Sequence, residues 1–391
     1  MPWPFSRKSD VALNDETAES SASPQARFAF RLFRELSPAD DSANIFFSPS
    51  SVMLCLALVR ELARGETRES IAKALEIADL DHAGVEREIA SLKSAFSART
   101  DAEISFANAL FISRHAQIGD PLQTRLHIQY DAELSELDFS SPEAVATINA
   151  WVNARTKGKI WRILSQLSPQ TALIALNAVY FKSRWLVPFM DELTQDEPFR
   201  VADGPVKQVP MMMQDGTYRY YKDQQIQLAA LPYRGKIAMY ILLPRPDADI
   251  NRFQQSLTSG LWESWISKLR SEPGTIQLPR FRVDYDAELN SALAALGMER
   301  AFDPGRAEFG QVQTDYPPVW LDRVVHRAVA EVNEEGTEAA AVTMTRVALS
   351  SAMPRKPPKT FKMFVDHPFF ALIRDESTKT ILFMGWIGDP Q

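Results

Sequence analysis

One stretch of the sequence restricts the possible folds of this chain more than any other: residues 334–354, EEGTEAAAVTMTRVALSSAMP. The stretch follows a strand-like run and precedes a proline-rich tether, yet it has the composition of neither a loop nor a buried strand. Successive residues of a strand point to opposite faces. Counted in steps of two along residues 337–349, both charges in that part, Glu338 and Arg346, fall on one face. The other face is uncharged and mostly small: Thr337, Ala339, Ala341, Thr343, Thr345, Val347 and Leu349.

Two interpretations of this stretch are open. An alanine-rich flexible loop or short helix is the simpler one, because alanine favours helices. Gly336, the repeated threonine and valine residues, and Pro354 disfavour a helix. Two charges share a face by chance in about one case in two, so the run of small residues is the stronger indication of a strand with one buried face. The pattern predicts a segment that is a loop in one state and a strand in another.

Composition narrows the class of protein and the kinds of partner. The 391 residues are 45% hydrophobic with a formal net charge of −7, which indicates a globular protein and disfavours nucleic acid as a partner. The single cysteine, Cys55, excludes intrachain disulfides, and its apolar neighbours predict a buried, inert thiol. Residues 1–23 are polar and lack the apolar core of a signal peptide, so we predict a disordered tail there. No apolar run reaches the ~18 residues of a membrane span, so no membrane partner is expected.

Apolar periodicity predicts helices and strands that are partly segregated along the chain. This favours the α+β class and one domain over residues 24–391. Ser-Pro pairs at Ser23 and Ser48 are typical helix starts. The continuous apolar run TALIALNAVYF predicts a central strand. Further strands are predicted at AEISFANALFISR, half-buried, and at TIQLPRFRV, VVHRAVAEV, FFALIR and ILFMGWI.

Recognisable catalytic and metal-binding motifs are missing from the sequence. It contains no phosphate-binding glycine loop, no G-x-S-x-G elbow and no H-E-x-x-H pair. The histidines lack metal-ligand spacing, so we expect no metal, no cofactor and structural roles for all five: His82, His115, His127, His326 and His367. Because catalytic triads are spatial, a hydrolase with a dispersed triad stays open as a remote alternative.

Ordered blocks between about residues 25 and 388 closely resemble the serpin family. The run EVNEEGTEAAAVT, preceded by VVHRAVA and followed by DHPFFALIRDESTKTILFMG, resembles its hinge and C-terminal signature. The resemblance implies three β-sheets, eight or nine helices and an exposed reactive-centre loop at about residues 335–359, in a monomer of the prokaryotic type. It places VVHRAVAEV at the centre of the largest sheet. Six upstream blocks agree in order: NIFFSPSSV, GETRESIAKAL, INAWVNARTKGKI, LNAVYFKSRW, ALPYRGKIAMYILLP and LPRFRV.

The resemblance implies a serine protease inhibitor rather than an enzyme. A target protease cleaves the loop and is acylated, and the loop then inserts into the large sheet as an extra strand, which traps the covalent complex. A scissile bond 14 residues after the hinge glycine selects Ser350-Ser351 and elastase- or subtilisin-like targets. A shift by one residue selects Leu349-Ser350 and chymotrypsin-like targets, and Arg346 ranks third. The hinge comprises Glu334, Glu335, Gly336, Thr337, Glu338, Ala339, Ala340 and Ala341.

Two further groups match serpin positions that control the opening of the sheet. The breach, where insertion begins, matches Trp185 and Arg280. Glu334 matches a partner of Arg280, and their ion pair is either a brake on opening or a surface bridge worth less than ~1 kcal/mol. Trp386 stands where the family more often has a basic residue. The shutter, a buried polar group that lets the sheet open, matches Ser48, Ser51, Asn177 and His326.

Several questions about partners and compartment stay open at this stage. No cluster of Lys and Arg marks residues 84–98, so glycosaminoglycan activation is not indicated. The basic residues of MPRKPPKT, at 353–360, form either a protease exosite or an extended tether. The family resemblance favours the extracellular space, and the polar N-terminus is compatible with the cytoplasm. A non-inhibitory binding or chaperone-like serpin is the nearest functional alternative, against which the small residues Thr337, Ala339 and Ala341 argue.

Overall fold

The computed structural model describes residues 21–37, 43–96, 102–168, 170–202, 204–314, 319–337 and 360–390. This part of the chain contains nine helices, one of which is irregular. The irregular helix spans residues 290–302 and contains a π-helical turn, Ala294–Met298. The regular helices are α1 (Pro24–Leu36), α2 (Pro49–Leu62), α3 (Gly65–Ala74), α4 (His82–Phe96), α5 (Asp120–Tyr130), α6 (Glu143–Arg155), α7 (Ile250–Ser256) and α8 (Ser259–Lys268).

Helices α1 and α2 begin as the Ser-Pro pairs predict. Ser23 Oγ accepts a hydrogen bond from Ala26 N at 3.1 Å, and a proline fills the first turn. Ser48 Oγ accepts from Ser51 N at 3.4 Å in the same way. Each serine thus satisfies a backbone N–H that has no partner within the helix.

The sheet with the most strands has nine of them. Its strands follow the order β1 (Ile45–Phe47), β17 (Ile381–Ile387), β16 (Phe369–Asp375), β9 (Ile237–Pro244), β8 (Ile226–Pro232), β7 (Val206–Lys222), β10 (Arg270–Pro279) and β15 (Phe361–Phe364), with β6 (Gln195–Arg200) paired to β7. All these pairings are antiparallel except β10 with β15, which is parallel.

A six-stranded sheet holds the segments that concern function. Its order is β11 (Phe281–Glu288), β13 (Leu321–Asn333), β14 (Gly336–Thr337), β5 (Leu173–Arg184), β2 (Ala102–Ser113) and β4 (Glu133–Leu137). β13 and β5 also pair directly with each other, in parallel. A third, two-stranded sheet joins β3 (Ala116–Ile118) to β12 (Val312–Thr314). The α+β class and the three sheets are therefore confirmed.

Two apolar clusters cover the two faces of the six-stranded sheet. On one face lies the main core, in which α2 is buried on nearly every side and packs against β2, β5 and β17. On the other face α6 and the segment after it form a smaller group, called here the α6 cluster. It includes Ile148, Val152, Ile160, Ile163 and Leu164 of that layer, and Ile174, Leu176, Ala178, Tyr180, Val325 and Val329 of the sheet.

Three expectations from the sequence were wrong in detail. TIQLPRFRV is not one strand, because the chain passes at Arg280 from β10 in the nine-stranded sheet to β11 in the six-stranded sheet. β2 is not half-buried, because residues 107–112 are covered on both faces. VVHRAVAEV is central in its sheet, but that sheet is not the one with the most strands. Helix α5, in which only Leu126 and Tyr130 are buried, was not predicted from the sequence.

Candidate functional site at the gap between β5 and β13

A two-residue strand, β14, is wedged between the ends of β13 and β5. Thr337 lies opposite Val332 on one side and opposite Ser183 on the other, and both pairings are antiparallel. Below the wedge, β13 and β5 pair directly up to Val329 and Tyr180. The sheet is thus open at one end, and Gly336 and Thr337 occupy the opening.

Gly336 is required at the tip of the wedge because the backbone of β5 approaches it closely. A Cβ atom on Gly336 would lie 2.1 Å from Ser183 O and 2.7 Å from Arg184 Cα, and the residue has φ of 151°. Any other side chain would clash with backbone that cannot rotate away. Only glycine lets the chain enter between the two strands at this point.

Thr337 is fully buried and is held by an aromatic group. Its hydroxyl shares a hydrogen bond of 2.7 Å with the hydroxyl of Tyr233. The Tyr233 ring stacks on Trp185 with centroids 4.1 Å apart and meets Phe181 edge-on at 5.4 Å. Burial raises the pKa of Tyr233 far above its usual range, so its hydroxyl stays protonated. Tyr233 was not predicted from the sequence.

Trp185 of the predicted breach also binds the turn that leads into β14. Its Nε1 donates to Asn333 O at 2.9 Å, and its backbone N donates to Glu335 O at 2.9 Å. Asn333 Oδ1 in turn accepts from the backbone N of Glu335 and of Gly336, at 3.2 and 3.3 Å. These bonds fix the direction in which the hinge leaves β13.

Arg280 and Glu334, expected to pair at the breach, form a two-pronged ion pair. Arg280 Nε lies 2.7 Å from each carboxylate oxygen of Glu334, and Thr194 Oγ1 donates to the same carboxylate. The side chain of Glu334 is 4% exposed and that of Arg280 is 44% exposed. Hydrogen bonding to Glu334 raises the pKa of Arg280. Because the carboxylate is buried, this pair is not the exposed surface bridge that the sequence left open.

The four residues matched to the shutter lie together beneath the closed part of the sheet. Ser48 N donates to His326 Nε2 at 3.2 Å, so Nδ1 carries the proton and donates to Asn177 Oδ1. Asn177 Nδ2 donates to Ser51 Oγ and to Asn108 Oδ1. Burial lowers the pKa of His326 to about 3, so the ring is neutral near pH 7.

Asn108 is a fifth member of this polar group that the sequence reading missed. It lies directly opposite Asn177 across β2 and β5, and Asn177 lies opposite His326 across β5 and β13. The three side chains therefore form one row across three strands. Asn108 Nδ2 has no partner among the described residues. An asparagine inside the apolar run FANALFI was the sequence signal for it.

The remaining singled-out residues are structural in the described part of the chain. Burial raises the pKa of the Cys55 thiol to about 12, which makes it unreactive. Trp386 is fully buried in β17, with its ring 6.3 Å from that of Phe253. His367 bonds Asp366 and the carbonyl oxygen of Pro244. No group of three or more His, Cys, Asp or Glu that could hold a metal ion occurs in the described ranges. No helix there is both long and apolar enough to cross a bilayer.

The reactive-bond residues cannot be placed against this site. Ser350, Ser351 and the alternative Leu349 lie outside the described residues, as do hinge positions 338–341. The described chain reaches Thr337 before the loop and resumes at Thr360 after it. The structure brings the start of the hinge together with the breach at the open end of the sheet, and it gathers the shutter residues separately, beneath the closed part.

Comparisons with known proteins agree on one family. The family model described as "Serpin (serine protease inhibitor)" matches residues 23–390. An uncharacterized serpin-like protein of Thermococcus kodakarensis is 35% identical over 370 residues, covering 93% of this chain and 84% of the relative. The leukocyte elastase inhibitor of Bos taurus is 34% identical over 386 residues, covering 95% and 100%.

A solved structure, that of the thermophilic serpin tengpin in its native state, has the same fold. Its TM-score is 0.86 at 23% identity, covering 100% of this chain and 97% of tengpin. The family model and the Bos taurus relative are both named as inhibitors. The chain therefore belongs to the serpin family of serine protease inhibitors.

Proposed function

We propose that this serpin inhibits its target by irreversible trapping. The protease cleaves Ser350-Ser351 and is acylated, and the freed loop then continues from Thr337 as a strand between β5 and β13. The observation that carries the proposal is the wedge itself, because Gly336 and Thr337 already pair with both strands. Insertion of the loop would therefore continue the strand pairing that Gly336 and Thr337 already make with β5 and β13.

The length of the gap supports the proposed reactive bond. In an antiparallel pair of strands, the numbers of two paired residues have a constant sum. This sum is 520 between β14 and β5 (337 + 183) and 669 between β14 and β13 (337 + 332). β5 begins at residue 173 and β13 at residue 321. The extended register therefore ends at residue 347 against β5 (520 − 173) and at 348 against β13 (669 − 321). Cleavage at Ser350 frees enough chain to fill the gap.

The length of the gap disfavours one of the two alternative bonds and does not distinguish the other from Ser350-Ser351. Cleavage after Arg346 ends the strand inside the gap and leaves the start of β5 uncovered. Cleavage after Leu349 fills the gap as well as cleavage after Ser350 does. Filling it adds about a dozen backbone hydrogen bonds at roughly 1 kcal/mol net each, a driving force on the order of 10 kcal/mol.

The inward face of the loop suits the main core. Thr337 already lies on that face, against Tyr233. Ala339, Ala341 and Thr343 have the same parity and are small and uncharged, so they can follow it without burying a charge. A non-inhibitory serpin has no need of such a face, which disfavours the binding or chaperone-like alternative.

The outward face of the loop suits the α6 cluster. In the extended register Ala340, Val342 and Met344 would lie beside the sheet residues of that cluster. The charged residues of this face would come at its two ends. Glu338 would lie beside Lys182 and Glu331, and Arg346 beside Arg323, all three of which are half-buried now. The apolar middle of this face thus suits the α6 cluster, and its two charged residues fall outside that middle, beside side chains that are only half-buried.

A panel of elastase-, subtilisin-, chymotrypsin- and trypsin-like proteases tests the proposal. We expect a covalent band that survives denaturant with at least one elastase- or subtilisin-like enzyme. Mass spectrometry of the released C-terminal peptide should find Ser351 at its start. No covalent band across the panel would contradict inhibition, and turnover of a small ester without consumption of the protein would favour the hydrolase alternative.

A further inference from the structure

A basic cleft lies at the edge of the nine-stranded sheet, where the chain returns from the reactive loop. Its volume is about 720 Å³, and its walls come from the end of β7, the end of α8, the start of β10 and the start of β15. Thr360, the first described residue after the loop, forms part of its rim. The cleft is therefore tied by a short stretch of chain to the proposed reactive bond.

Four exposed cations line this cleft: Lys222, Lys268, Arg270 and Lys362. Glu272 is the one carboxylate in its lining. None of the four cations forms an ion pair with a residue that the structure describes. The lining thus carries a local excess of three positive charges (4 − 1), opposite in sign to the chain's net charge of −7. Such an excess attracts a negatively charged surface and speeds its approach.

The walls of the cleft are held in place by aromatic packing. Phe361 and Tyr220 stack with ring centroids 3.7 Å apart and planes 5° from parallel. Gly274 makes room for this stack, because a Cβ there would lie 2.3 Å from the Phe361 ring. Lys268 Nζ lies 5.5 Å over the ring of Tyr221. Arg270 Nη1 donates to the carbonyl oxygens of residues 267 and 269, at 3.0 and 2.9 Å.

We propose that this cleft is an exosite, which receives an acidic patch on the protease that is attacking the reactive loop. The proposal rests on the proposed function, since it needs a protease at Ser350-Ser351. From Ser351 to Thr360 are nine steps, so an extended chain spans at most about 32 Å. A protease domain of ordinary size is about 45 Å across. An enzyme on the bond therefore has surface within reach of the cleft.

The shape of the cleft favours a protein surface over a sulfated polysaccharide. Its cations come from four separate elements and surround a compact space, which also holds Glu272 and two tyrosine rings. A linear polyanion gains most from a continuous track of cations and is repelled by a carboxylate within it. One or two acidic side chains of a folded partner can be received there with the carboxylate still in place.

The test compares association rates, because steering by charge acts on the approach of the two proteins. The cleft variant combines Lys222→Gln, Lys268→Gln, Arg270→Gln and Lys362→Gln. A matched control removes four exposed cations from helices that do not line the cleft: Lys73→Gln, Arg87→Gln, Arg125→Gln and Arg252→Gln. Both are assayed against two proteases that form the covalent complex, one with an acidic surface beside its active site and one with a basic surface.

With the acidic-surfaced protease, the cleft variant should associate about 10-fold more slowly at ~50 mM salt and less than about 2-fold more slowly at ~0.5 M salt. The association rate of the control variant should fall by less than about 2-fold at both salt concentrations. Glu272→Gln should raise the rate. With the basic-surfaced protease the cleft variant should show no loss. The final yield of covalent complex should be unchanged, which separates slower docking from failed trapping.

Three outcomes would overturn the exosite. An equal loss in the control set would mean that only net charge matters. An unchanged rate in the cleft variant would show that the cleft is not used. A rate that depends on the cleft only when a sulfated polysaccharide is added would assign it to the polysaccharide. If the wild-type protein forms no covalent complex with any protease, the proposed function itself fails, and that result is seen before any variant is compared.

Discussion

Thr337 and Tyr233, 104 residues apart in sequence, share a buried hydrogen bond of 2.7 Å between their hydroxyls. The bond joins the second residue of β14 to the aromatic stack at the open end of the six-stranded sheet. The stack of Tyr233 on Trp185, whose Nε1 binds Asn333 O, connects the hinge to the strand it leaves. The start of the hinge, Gly336 and Thr337, is thus held in the gap before any cleavage.

Removing the Tyr233 hydroxyl should loosen the hinge. In Tyr233→Phe the ring and its stack remain, but the buried Thr337 hydroxyl loses its partner, which should cost about 1 to 2 kcal/mol. We expect faster amide hydrogen exchange at Gly336 and Thr337. Tyr285→Phe, at a partly buried tyrosine of β11, is the control and should leave exchange at the hinge unchanged. Unchanged exchange in Tyr233→Phe would show that the bond does not hold the hinge.

Thr337→Arg should turn the inhibitor into a substrate. Thr337 is already fully buried between β13 and β5 in the intact protein, so an arginine there should push the wedge out of the gap, and insertion would then have to bury an unpaired charge against the main core. Insertion would then be slower than hydrolysis of the acyl bond, and several moles of the protein should be consumed for each mole of protease inhibited. Thr337→Ser keeps the hydroxyl and the size, and should inhibit like the wild type. An unchanged stoichiometry in Thr337→Arg would contradict trapping by insertion.

The fold and the main site residues could be predicted because they depend on patterns within short segments. Alternation, Ser-Pro starts and ordered blocks are local, and they located β5, α2 and the residues at the hinge. Asn108 and Tyr233 were missed because they join the site through register and packing between distant strands.

Two errors come from signals that the sequence carries only weakly. TIQLPRFRV alternates on both sides of Arg280, but its buried apolar positions change parity there, from Ile276 and Leu278 to Phe281 and Val283. That shift by one residue marks the change of partner strands. The helix α5 has a short apolar stripe, since most of its residues face solvent, and its pattern is therefore weak.

Breaking the Arg280–Glu334 pair from one side should destabilise the native state. In Arg280→Gln a buried carboxylate is left without its guanidinium, at a cost of roughly 1 to 3 kcal/mol after allowance for the exposure of Arg280. Thermal unfolding should show the loss, and mild heating should convert more of the protein to inactive forms. The double variant with Glu334→Gln should recover much of the stability. Arg282→Gln, whose pair with Glu331 is 3.9 Å long and exposed, should change little.

Protonation of His326 should weaken the native state at acid pH. Its pKa is about 3 in the fold against 6.5 for the free group, so between these values the unfolded chain binds more protons. The contribution is fully present above about pH 6.5 and falls by about 1.4 kcal/mol per pH unit below it. From pH 7 to about pH 4.5 the loss should reach roughly 2 to 3 kcal/mol, measured by urea unfolding.

Variants separate His326 from the other titrating groups. His326→Gln cannot be protonated, so the slope of unfolding free energy against pH should flatten by about one proton between pH 6.5 and about 4.5. His82→Gln, at a histidine whose side chain is 88% exposed, should keep the wild-type slope. An identical slope in all three proteins would show that His326 is not the group responsible.

Insertion should carry Thr343 into the shutter. In the extended register it lies opposite Asn177 (520 − 343) and opposite His326 (669 − 343), two side chains that now bond each other. A threonine hydroxyl can donate to one and accept from the other, so the inserted strand replaces their direct bond with two new ones. Thr343→Val should therefore lower the stability of the cleaved, inserted form by about 1 to 2 kcal/mol and leave the intact form unchanged. Thr345→Val is the matched control, because its neighbours in the same register, Val324 and Ala175, are apolar. Denaturant midpoints of intact and cleaved protein measure both effects, and equal losses in the two variants would contradict the register.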